Sequence, residues 1–103
     1  MPRDPKQHLS DIINRLSPHL NIQDLENFRD MIDNNEWGVA FEILCDTLYE
    51  FEIYITEEMC LELQEYGKNL NIRESQWRIL EEIVESQKYV KIDSVEDFLE
   101  QRL

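Results

Sequence analysis

The chain has 103 residues, 23 acidic and 10 basic, for a formal net charge of −13. That length supplies one hydrophobic core rather than two, and that charge repels phosphate backbones and anionic lipid surfaces, so neither nucleic acid nor membrane is an expected partner. The hydrophobic share of 42%, with only 2 Gly and 3 Pro, argues against a disordered tail and against sheets joined by tight turns.

Helical spacing begins near the start of the chain. Leu9, Ile12, Ile13 and Leu16 share one face of a helix from about Pro5 to Leu16. Ser17-Pro18 closes it, because the residue before a proline is driven out of the helical region. Asn21 is the expected cap of a second helix, with Asp24 in its first turn and Leu25, Phe28 and Ile32 facing inward. That helix frays at Asn34-Asn35. A third helix runs from Glu36 to about Glu50 and points Trp37, Phe41, Leu44 and Leu48 inward.

Residues 51–55 alternate apolar and polar and read as a short extended connector, too isolated to found a sheet. Thr56 caps a fourth helix with Glu57 and Glu58 in its first turn and Met59, Leu63, Tyr66 and Leu70 inward. Gly67 lies at the edge of that face, where a missing side chain lets a neighbouring helix approach. A fifth helix, from about Arg73 to Ser86, presents Trp77, Leu80, Ile83 and Val84. Residues 89–92 resemble a second extended piece, and Ser94 starts a last short helix through Phe98 and Leu99. The expected fold is all-α: a compact single-domain bundle of five or six short helices spanning residues 1–103.

Chemistry is scarce. His8 and His19 are the only histidines, read as surface residues, and no HExxH or Cys-His spacing surrounds them. Cys45 and Cys60 sit inside helical patterns without CxxC pairing and read as small buried hydrophobes of a reducing compartment. Two isolated glycines cannot build a phosphate loop. The start, MPRDPKQH, carries no hydrophobic stretch after its charges and is not read as a secretory signal. The expectation is a cytoplasmic protein that is not an enzyme and needs no metal or cofactor.

The charge is concentrated. Residues 1–29 hold four acids and four bases, whereas Asp30 to Gly67 holds eleven acids and no Lys or Arg. At about 100° per residue, Glu42, Asp46 and Glu50 fall on one stripe of the third helix, opposite Trp37, Phe41, Leu44 and Leu48. Glu58, Glu62 and Glu65 form a comparable stripe on the fourth, with no interspersed cation. Like charges four apart cost roughly 0.2–0.5 kcal/mol per pair. Simple solubility would tolerate that cost, but a docking face for a basic protein explains why the acids are unmixed. Val39, Tyr49 and Tyr54 lie near or between them. The candidate contact residues are Asp33, Glu36, Glu42, Asp46, Tyr49, Glu50, Glu52 and Tyr54.

The stretch from Asp33 to Glu50, DNNEWGVAFEILCDTLYE, resembles the core motif of the Maf-type immunity proteins. Similar small proteins accompany contact-dependent growth-inhibition toxins. The likeness continues through Ile55-Thr56-Glu57-Glu58, Leu63, Gly67, Leu70 and Trp77 and spans Ile22 to Ile83. It implies an antitoxin that binds one cognate toxin domain in a 1:1 complex, often a nuclease such as an EndoU-type ribonuclease, and blocks its RNA-binding or active site. The alternatives are an acidic helical adaptor without a toxin partner, a DNA-mimic inhibitor, and a small enzyme built on buried paired carboxylates.

Overall fold

The computed structural model describes residues 4–85. Helix α1 spans Pro5–Leu16: Asp4 caps it by accepting the Lys6 backbone N–H at 3.2 Å, and Pro5 fits the first turn, where no backbone donor is needed. A 3-10 turn at Ser17–His19 carries the chain past Pro18 into α2, Ile22–Asp33. There the Asn21 side chain accepts the Asp24 N–H at 2.7 Å. Helix α3 spans Trp37–Glu50 and α4 spans Glu57–Asn69, the latter capped by Thr56 Oγ1 accepting from Met59 N–H at 3.0 Å. Helix α5 runs from 74 to 85, where the described residues end. The extended piece and short helix expected over 89–99 lie outside the described residues.

Helices α2, α3 and α4 end by the same device. Asn35, Glu52 and Asn71 each adopt a left-handed backbone, at φ 61°, 51° and 57°. The following residue then donates its N–H five residues back: Glu36 to Met31, Ile53 to Leu48 and Ile72 to Gly67, at 2.8, 3.0 and 2.9 Å. Each end is thus a Schellman motif that satisfies the last carbonyls of its helix. The connector expected at residues 51–55 therefore opens with a turn at Phe51–Glu52 instead of extended backbone, and residues 53–55 join α3 to α4 without regular secondary structure. No strand forms among the described residues; the apolar alternation there begins with a helix C-cap, because the left-handed Glu52 reverses the chain.

One core joins all five helices: Leu9, Ile12 and Ile13 from α1, Phe28 and Ile32 from α2, Phe41, Leu44 and Leu48 from α3, Leu63 and Tyr66 from α4, and Trp77, Leu80 and Ile83 from α5. Trp37, Met59 and Leu70, expected inward, pack against this core while partly exposed. Tyr66 clasps α4 to α1 by donating its hydroxyl to the Pro5 carbonyl at 2.9 Å. At Gly67 the missing side chain admits the Trp77 ring of α5, as the sequence led us to expect. No helix among the described residues is long and apolar enough to cross a membrane.

Candidate protein-binding face

Helix α3 buries Ala40, Phe41, Leu44, Cys45, Thr47 and Leu48. Successive residues turn by about 100°, so the opposite side of the helix is centred on Asp46, with Val39, Glu42, Ile43, Tyr49 and Glu50 around it. All six of these side chains are exposed: Val39 and Tyr49 keep 49% of their surface and Ile43 keeps 40%. The outward face of α3 therefore mixes three carboxylates with three apolar or aromatic groups. Among the described residues, no Lys or Arg pairs with Glu42, Asp46 or Glu50. Gln76 of α5 reaches this edge, and its amide donates to the Glu42 carbonyl at 3.1 Å and to Asp46 Oδ1 at 3.0 Å.

Of the eight residues singled out by sequence, four share this face: Glu42, Asp46, Tyr49 and Glu50. The other four are exposed but sit at its two ends. Asp33 closes α2, and Glu36 precedes α3, offering its backbone carbonyl to Ala40 while its side chain caps nothing. Glu52 and Tyr54 follow the other end of the helix. Fourteen residues of α3 at about 1.5 Å each put roughly 20 Å between the two groups. Ile43 was missed, although its spacing takes it off the stripe of Trp37, Phe41, Leu44 and Leu48. Phe51 was missed too; it lines a crevice with His19, Leu20, Asn21, Asp24, Thr47 and Ile53.

The acidic stripe expected on α4 is not uniform. Glu58 and Glu65 are exposed, but Glu62 turns toward α1, where Arg15 pairs with it and His8 Nε2 lies 3.5 Å away. Arg15 also pairs with Asp11 at 3.3 Å. The missing cation thus comes from another helix, 47 residues back, which spacing along α4 could not reveal. His8 likewise is not a surface residue: its ring packs edge-on against Tyr66, with centroids 5.3 Å apart.

Both cysteines are buried free thiols. Burial first, then the charges of Asp46 and Glu42, push the Cys45 thiol well above the usual thiol range. Burial, then Glu81 and Glu57, raise Cys60. Neither is poised as a nucleophile, because the thiolate is the reactive form. Among the described residues, no three His, Cys, Asp or Glu side chains converge where they could hold a metal ion.

A second surface feature lies between α4 and α5. Leu61, 65% exposed, joins Cys60 and Val84 along a groove of about 270 Å³ edged by Glu57, Gln64, Glu81 and Glu85. Compared with protein-family models, curated proteins and solved structures, the chain matches none.

Proposed function

We propose that this chain is a cytoplasmic immunity protein that binds a basic cognate toxin domain, a nuclease, in a 1:1 complex and neutralises it without turnover. The observation that carries the reading is the outward face of α3, where Glu42, Asp46 and Glu50, which pair with no Lys or Arg among the described residues, stand beside the exposed Val39, Ile43 and Tyr49. A nuclease must present Lys and Arg to hold phosphates. Carboxylates on a rigid helix occupy those positions electrostatically, and the apolar groups add the buried area that gives an interface its lifetime. The resemblance of Asp33 to Glu50 to Maf-type immunity proteins supports the same assignment.

The test begins with the neighbouring gene. A secreted protein with a variable C-terminal nuclease domain there supplies the partner, and mixing the two purified proteins should give a 1:1 complex with the nuclease inhibited. Asp46→Lys with Glu50→Lys should slow association and flatten its salt dependence. Unaltered binding by that variant overturns the acidic-face mechanism.

The groove beside Leu61 favours a second reading, an acidic helical adaptor without a toxin partner. It would bind through its most apolar surface, so Leu61→Ser would abolish capture while the α3 variant would not.

A further inference from the structure

We infer that the element received on the outward face of α3 is a basic amphipathic helix. The inference rests on the basic-partner reading above and goes beyond it by naming the shape of what binds. Side chains on a helix surface form ridges along residues four apart, and helices pack by fitting such ridges into one another's grooves. Two such rows are exposed side by side here. One is apolar, Val39–Ile43; the other is acidic, Glu42–Asp46–Glu50.

Neighbouring members of a row stand about 5–6 Å apart, and the acidic row spans about 12 Å along the axis. A helix with apolar side chains at i and i+4, and cations at i, i+4 and i+8 on the adjoining row, meets both rows at once. An extended segment has a comparable side-chain repeat but arrives with bare backbone N–H and C=O groups. Helix α3 has no free backbone edge to pair them, and over Val39 and Ile43 they would lose water without gaining a partner. A helix arrives with its own backbone already hydrogen-bonded.

The experiment uses the full chain and two synthetic peptides of about 14 residues. One places Leu at i and i+4 with Arg along the adjoining row; the other has the same composition in an order that scatters the stripe. Fluorescence anisotropy at low and moderate salt should show the striped peptide binding about ten-fold tighter than its isomer. Ile43→Ser should erase that preference, and Asp46→Lys with Glu50→Lys should weaken both peptides. These positions are exposed, and an unchanged helical circular-dichroism spectrum verifies that each variant is folded. Equal affinity for the two isomers, or a preference that survives Ile43→Ser, overturns the helix inference alone. Binding of neither peptide overturns the basic-partner reading as well.

Discussion

Gly67 and Trp77 occupy one continuous volume: a β-carbon on Gly67 would stand 2.6 Å from Trp77 Cδ1 and 3.2 Å from Phe41 Cε2. The indole is rigid and buried, so neither ring yields without displacing the core. Glycine within a helix normally costs about 1 kcal/mol relative to alanine, yet overpacking a filled core costs about 1–3 kcal/mol. Gly67→Ala should therefore destabilise the protein by up to about 2 kcal/mol on balance, seen as a lower urea midpoint.

The two tryptophans should respond differently to Phe. Trp77 Nε1 donates to the Ile72 carbonyl at 3.2 Å, just beyond the end of α4. The buried Trp37 Nε1 finds no acceptor among the described residues. Trp77→Phe strands a carbonyl and removes ring volume, for a loss of about 1–3 kcal/mol. Trp37→Phe removes an unpaired donor and should fall within about 0.5 kcal/mol of the parent or above it. Thermal unfolding followed by circular dichroism separates the two.

Much of this interior was legible in the chain itself. Leu9, Ile12, Ile13 and Leu16 repeat at helical spacing and all are buried, and the caps at Asn21 and Thr56 follow from their side-chain oxygens. The Glu62–Arg15 pair was not legible, because its partners meet only through the packing of α4 on α1. His8 was misjudged for the same reason: its environment is made by Tyr66, far along the chain. Phe51 and Glu52 misled because apolar alternation says nothing about φ, and Glu is an uncommon choice for a left-handed position. On α3 the carboxylate stripe could be read from spacing, whereas the exposure of Ile43 depended on which neighbours covered it.

Glu52 and Glu50 stand where stability alone would place other residues. Asn35 and Asn71 take the left-handed position at the ends of α2 and α4, and asparagine tolerates it better than glutamate. Glu52→Asn should raise stability by about 0.5–1 kcal/mol. Glu50 puts a negative charge at the carbonyl end of α3, four residues from Asp46, so Glu50→Lys should add about 0.5–1 kcal/mol at low ionic strength. Both gains, read as shifts in denaturant midpoint, should be accompanied by slower association with a basic partner.

Charge reversal on α4 discriminates paired from unpaired acids. Glu62→Lys loses the Arg15 contact and should cost about 0.5–1 kcal/mol, reduced in high salt because the pair is partly exposed. Glu65→Lys breaks no ion pair among the described residues and should be neutral or stabilising. Unfolding at two salt concentrations checks both.

Alkaline pH should weaken the fold. Burial first, and then the Asp4 carboxylate, raise the Tyr66 phenol from its ordinary value of 10.0, and the Cys45 thiol rises from 9.0. A group whose folded pKa lies above its unfolded one contributes its full stability below the unfolded value and loses it as pH climbs toward the folded value. Stability should therefore fall from about pH 9 upward, and Cys45→Ala should flatten that limb in pH-dependent unfolding. In the native state at neutral pH, iodoacetamide should leave Cys45 unmodified by mass spectrometry.

Three helices that finish with the same local reversal make the scaffold indifferent to what decorates its outside. The stop signals at Asn35, Glu52 and Asn71 lie within a few residues of the bonds they close, so changing Val39, Glu42 or Ile43 leaves each helix length as it was. An exterior of that kind can change one exposed residue at a time while the chain continues to fold.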